Sequence, residues 1–114
     1  MPSELTIEVD QSRDGVVVIT PVGEVDLASS PVLRTRLGEV VKSRPNRVVL
    51  DLSKVPYMDS SGVATLVEGL QQCRRQSSDL FLAALQDRVR SVFEIARLDT
   101  VFTIERDVAT ACGE

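Results

Sequence analysis

The run Val48-Val49-Leu50 limits the possible folds of this chain more than any other feature. A strand with one wet face alternates apolar and polar residues. A strand that is apolar at consecutive positions is covered on both faces. Arg47 to Leu52 therefore reads as a central strand, with elements packed above and below it.

The flanking sequence supplies those elements. Leu5, Ile7 and Val9 alternate with Thr6, Glu8 and Asp10, the period of a strand with one wet face. Gln11 to Gly15 reads as a turn signalled by Asp14-Gly15, and Val16 to Thr20 as a second strand, so the two form a hairpin. Pro21 cannot donate to a ladder, which predicts a bulge or an edge at that end. Ser30-Pro31 reads as a helix start, with Ser30 as N-cap and Pro31 at the first helical position. Leu33, Leu37, Val40 and Val41 share one face of that helix, and Pro45 ends it.

After the central strand comes a loop over 53–59. A second helix over 60–76 carries Val63, Leu66, Val67, Leu70 and Cys73 on one face. A strand is predicted over 80–84. A helix over 87–97 turns Val89, Val92, Phe93 and Ala96 inward. A strand at 101–104 and a helical turn at 107–112 complete the chain. The order is β-β-α-β-α-β-α-β-α, a single α/β domain over 1–114 with an open mixed sheet and helices mainly on one face. The βαβ unit over 48–84 makes its two strands parallel neighbours. Sites in such sheets form at the carboxyl ends of the strands, which singles out the loops 23–30 and 53–61.

Composition removes whole classes of function. The chain has 114 residues and a formal charge of -4, against the basic surface that nucleic-acid binding requires. It has no His, so the commonest general base and metal ligand are missing. Cys73 and Cys112 can build neither a zinc site nor a disulfide framework, and they read as reduced thiols. Met1-Pro2-Ser3-Glu4 is acidic where a signal peptide is basic. No apolar run approaches the roughly 18 residues of a membrane span. A small cytoplasmic domain without cofactor or metal, and with neither nucleic-acid nor membrane partner, is expected.

The second loop ends Tyr57-Met58-Asp59-Ser60-Ser61-Gly62, where the helix begins. Taken alone, Ser60 or Asp59 is an N-cap that satisfies a free backbone N–H. Gly62 in the first turn lowers stability and suggests that something approaches closely. Tyr57 and Met58 suit a contact surface, and equally suit core plugs. The pattern is no Gly-x-Ser-x-Gly elbow, because Met58 stands at the first glycine position. Neither Lys42 nor Lys54 has a Ser-x-x-Lys spacing to Ser60, and no Gly-rich phosphate loop occurs. An enzyme is not expected.

The stretch from Val48 through Asp51-Leu52-Ser53-Lys54-Val55-Pro56-Tyr57-Met58-Asp59-Ser60-Ser61-Gly62 to Val63 resembles the signature of the STAS domain, in particular that of bacterial anti-sigma factor antagonists. Gly23-Glu24-Val25-Asp26 resembles the family's first signature block. The likeness covers almost the whole chain. It implies that Ser60 is phosphorylated by a partner kinase, with Asp26, Tyr57, Met58, Asp59, Ser61 and Gly62 in the partner-binding region. Ala64 and Arg97-Leu98 depart from the family's frequent glycines.

The resemblance implies that the unphosphorylated form binds an anti-sigma factor that is also a serine kinase, and so releases a sigma factor. A phosphate on Ser60 adds about -1.5 to -2 charge at a helix N-terminus, where free N–H groups tolerate an anion. It would block the partner without unfolding the domain. A metal-dependent serine phosphatase would reset the switch. STAS-like domains also serve transporters and stressosome-type complexes. The intact Asp-Ser-Ser-Gly favours the kinase-regulated class.

Overall fold

The chain forms β1 (Thr6–Arg13), β2 (Val16–Val22), α1 (Ser30–Lys42), β3 (Arg47–Asp51), α2 (Ser60–Arg75), β4 (Asp79–Ala83), α3 (Asp87–Ile95), β5 (Thr103–Glu105) and α4 (Val108–Ala111). This is the expected element order. The structure, a computed structural model, describes residues 4–114. Met1 to Ser3, part of the acidic start noted above, lie outside the described residues. The sheet order is β1-β2-β3-β4-β5, with β1 antiparallel to β2 and the remaining neighbours parallel.

β3 sits at the centre because both its faces are covered. Val48, Val49 and Leu50 have no exposed surface. Val48 and Leu50 join a core with Leu33, Leu37 and Val41 of α1, Leu66 and Leu70 of α2, and Val89 and Phe93 of α3. Val49 points the other way, into a smaller cluster with Val18, Ala83 and Ala111 of α4. The helices are therefore split three to one. Arg47 fastens the single helix on the second face. Its guanidinium stacks over Phe81 at 4.4 Å and donates to the Ala111 carbonyl at 2.9 Å.

Element boundaries differ where tertiary contacts override local signals. Gln11 to Arg13 continue β1, with the register shift between Asp10 and Arg13, so the bulge lies in β1. Pro21 pairs with Ile7 inside β2. The ladder to β3 stops at Ile19, so Pro21 lies where β2 has only β1 beside it. The N-cap of α1 is Ser29, and Ser30 is the first helical residue. The last helical residue of α3 is Ile95. Arg97 then takes φ +59, the left-handed conformation that glycine enters most easily. Ala96 is exposed, outside the core. β5 starts at Thr103, and Val101 is exposed before it.

Candidate functional site at the start of the second helix

The parallel strands β2, β3 and β4 end on one side of the molecule, so the loops that follow them meet there. Backbone hydrogen bonds join the first two loops. Val25 N–H donates to Tyr57 O at 3.0 Å, Asp59 N–H to Val25 O at 3.1 Å, and Gly23 N–H to Lys54 O at 3.1 Å. Val25 and Met58 form a parallel bridge, and both side chains are buried. Gln86, in the loop after β4, donates its side-chain N–H to Ser53 O at 2.9 Å.

Asp59 is the N-cap of α2. Its Oδ1 accepts from Ser61 N–H at 2.9 Å, from Gly62 N–H at 3.4 Å and from the Ser61 hydroxyl at 2.5 Å. These donors, the Ser61 hydroxyl foremost, hold the Asp59 carboxyl below the usual carboxylate range. The carboxylate thus closes the helix, while the Asp59 backbone N–H ties the first loop to it through Val25 O. Cap and neighbouring hydroxyls are thereby separated. Ser60 occupies the first position of α2 and is exposed. Ser61 is half-buried with its hydroxyl committed to Asp59, and its carbonyl accepts from the buried Thr65 hydroxyl at 2.9 Å.

Two site expectations are corrected, those for Gly62 and Met58. Gly62 is buried: a Cβ there would meet Met58 Cγ at 2.6 Å and Val25 Cγ1 at 2.7 Å. The glycine lets the helix start close over its own core, and it leaves no opening for a partner. Met58 is 1% exposed and is the plug beneath Gly62, so it offers no contact surface. The Asp26 carboxylate turns into its own loop. It accepts from Ala28 N–H and Ser29 N–H, each at 3.0 Å, and from the Ser29 hydroxyl at 3.1 Å. Asp26 shapes the loop that Asp59 then holds. Tyr57 is partly exposed.

Sequence reasoning passed over Leu27 and Gln86. Leu27 is 78% exposed at the tip of the first loop, and an isolated leucine between Asp26 and Ala28 carries no periodic signal. Gln86 is an exposed polar residue whose partner lies far off in sequence. Cys73 is buried, which pushes its thiol up to about 11, and it is too little ionised to be reactive. Among the described residues, no helix is long and apolar enough to cross a membrane.

A mixed α/β sheet carrying an aspartate-capped Ser-Ser-Gly helix start defines a class. The family model described as STAS domain matches residues 8–111, and the chain belongs to that family. It is 31% identical over 102 residues to an anti-sigma-B factor antagonist of Listeria monocytogenes, with 89% of each chain covered. It is 30% identical over 103 residues to the anti-sigma-F factor antagonist RsfB of Mycobacterium tuberculosis, covering 90% of this chain and 83% of that protein. Among solved structures it resembles an anti-sigma factor antagonist from Mycobacterium paratuberculosis, with a TM-score of 0.88 and 26% identity over 96% of this chain and 92% of that one. Like these STAS proteins it is a binding protein, not an enzyme.

Proposed function

We propose that this chain is an anti-sigma factor antagonist controlled by phosphorylation at Ser60. Unphosphorylated, it binds an anti-sigma factor that is also its serine kinase, and a sigma factor is released. ATP and magnesium belong to that kinase, and a serine phosphatase restores the binding form. The whole chain acts as one STAS domain, in the cytoplasm, where sigma factors work.

The observation that carries this reading is the contrast within one pair of hydroxyls. Ser60 is exposed at the first helical position, whereas Ser61 is engaged by Asp59. A phosphate on Ser60 would sit over the N–H groups and positive dipole end of α2, so the fold would tolerate it. A partner pressed against the helix start would meet a dianion beside Asp59. Asp59 and Ser61 flank Ser60 in the chain and shape the helix start, and Tyr57 and the loop at Asp26 complete the partner-binding region of this reading.

Phosphopeptide mapping after incubation with the cognate kinase tests the assignment. Phosphate is expected on Ser60 and none on Ser60→Ala. Ser60→Asp should weaken binding to the anti-sigma factor while keeping a near-native Tm. Phosphate found on Ser61 overturns the reading.

A further inference from the structure

The two ends of the sheet carry opposite charge. Ser60 stands at the end where β3 stops and α2 begins, among Glu24, Asp26 and Asp59, with Lys54 as the cation of those two loops. α1 and α2 run back to the other end, where β3 and β4 begin. Four cations gather there. Lys42 lies in the last turn of α1 with Arg44 just beyond it, and Arg74 and Arg75 close α2. The Ser78 hydroxyl donates to Pro45 O at 2.6 Å and Asp79 N–H to Asn46 O at 3.0 Å, so the segments that follow the two helices are fastened side by side. All four cationic side chains are exposed, and among the described residues none has a carboxylate within ion-pairing distance. Asp14 and Asp79 are the acids on the adjoining turn and strand start, which leaves this end positive on a chain of net charge -4. A cation in a last helical turn favours the helix dipole, which accounts for Lys42, Arg74 and Arg75 one at a time. Together with Arg44 they make one cationic surface with two adjacent guanidiniums, the group that grips phosphate bidentately.

We infer that this surface receives the Ser60 phosphate of a second copy, so that the phosphorylated chain associates head to tail. The inference rests on the Ser60 switch proposed above and adds where the phosphorylated form goes. A chain cannot satisfy its own phosphate, because the 16 residues of α2 hold the two sites about 22 Å apart at 1.5 Å per step. Without the phosphate the contact is weak. Asp26 and Asp59 are already engaged by backbone donors of their own loops, and exposed ion pairs add little. The phosphate brings about -1.5 to -2 charge and three strong acceptor oxygens to the acidic end. Head and tail are different surfaces, so each contact leaves one of each free, and the assembly grows as a short chain unless it closes into a ring. A phosphate held in such a contact is shielded from the phosphatase, which prolongs the off state.

The experiment is sedimentation velocity of the full chain, with phosphoserine installed at position 60 during synthesis, over a range of concentrations. In dilute salt its average mass should rise roughly twofold or more with concentration. At about 1 M salt, where the Debye length is about 3 Å, it should return to the monomer. The unphosphorylated chain should stay monomeric throughout. Arg74→Glu combined with Arg75→Glu should abolish the association and leave Tm unchanged, since both side chains are exposed. Lys42→Gln combined with Arg44→Gln should weaken it about tenfold, and tests the same surface without touching α2. A mixture fixes the polarity. The phosphorylated chain with Arg74→Glu and Arg75→Glu keeps a head and lacks a tail, so with unphosphorylated wild type it should form a one-to-one complex and nothing larger.

A phosphorylated chain that stays monomeric in dilute salt overturns the inference. So does association that survives both pairs of substitutions, or that appears equally without the phosphate. Because the phosphoserine is installed in synthesis, these outcomes do not depend on the kinase. Phosphopeptide mapping judges the Ser60 switch separately. Phosphate placed by the kinase on another residue overturns that switch, and the regulatory role of the contact with it, even where the installed phosphoserine associates.

Discussion

α1 and α2 begin with similar sequences and end up in opposite environments. Asp26-Leu27-Ala28-Ser29-Ser30-Pro31 opens the first, and Asp59-Ser60-Ser61-Gly62 the second. At α1, Ser29 and Ser30 are 1% and 6% exposed, and the N-cap side chain makes no capping bond. The Ser29 hydroxyl turns back to Glu24 O, and Asp26 binds the turn before the helix. At α2 the aspartate is itself the cap, and the serine after it faces solvent. One serine pair is a structural knot and the other presents a hydroxyl. The difference lies in where the aspartate sits relative to the first helical turn. Adjacent to it, Asp59 can satisfy N–H groups of the helix and leave Ser60 unengaged. Three residues farther back, Asp26 closes the loop instead.

The largest test enlarges Gly62, the residue that lets α2 start against Met58 and Val25. Gly62→Leu should destabilise the domain by about 3 kcal/mol or more, read as a urea midpoint shift, because the packed core cannot receive the side chain. Gly62→Ala should also destabilise, although alanine raises helix propensity by about 1 kcal/mol. Next, the serine pairs should separate on substitution. Ser29→Ala should cost about 1–3 kcal/mol, since the buried Ser29 hydroxyl accepts from Asp26 N–H and donates to Glu24 O, both part-buried bonds. Ser60→Ala should stay within about 0.5 kcal/mol of wild type in the same assay, as exposed substitutions do.

Acid tests the Asp59 cap by a smaller effect. The Asp59 carboxyl titrates below its unfolded value of 3.8, so its stabilising contribution is present above that pH and is lost as pH falls through the folded value. Asp59→Asn should flatten the loss of stability between about pH 4 and pH 2, the range below that value. An unchanged acid slope would remove Asp59 as the cap that matters. The smallest effect is a gain. Gly38 in α1 has open space where a Cβ would stand, whereas Gly69 in α2 is filled by Leu37 Cδ2 at 2.5 Å. Gly38→Ala should therefore raise stability by up to about 1 kcal/mol, and Gly69→Ala should not.

Most of the fold is legible in the chain because it rests on local periodicity. The run Val48-Val49-Leu50, the i, i+4 spacing of Leu33 and Leu37, and the alternation of Leu5, Ile7 and Val9 each name an element without reference to the rest. Errors fall at ends that distant partners decide, such as the extension of β1 through Arg13 or the end of α3 before Arg97 in its left-handed turn. The candidate site divides in the same way. Asp59-Ser60-Ser61-Gly62 marks a helix start by residue type alone, and strand order places its loop beside that of Asp26.

Which hydroxyl is open, which way Asp26 turns and whether Gly62 is an opening or a contact were decided only in the tertiary structure. Those properties depend on Val25 and Met58, which come from different loops and are buried against each other by the bridge between the loops that follow β2 and β3. Side-chain burial is a sum over neighbours from the whole chain, and a local pattern holds no record of them.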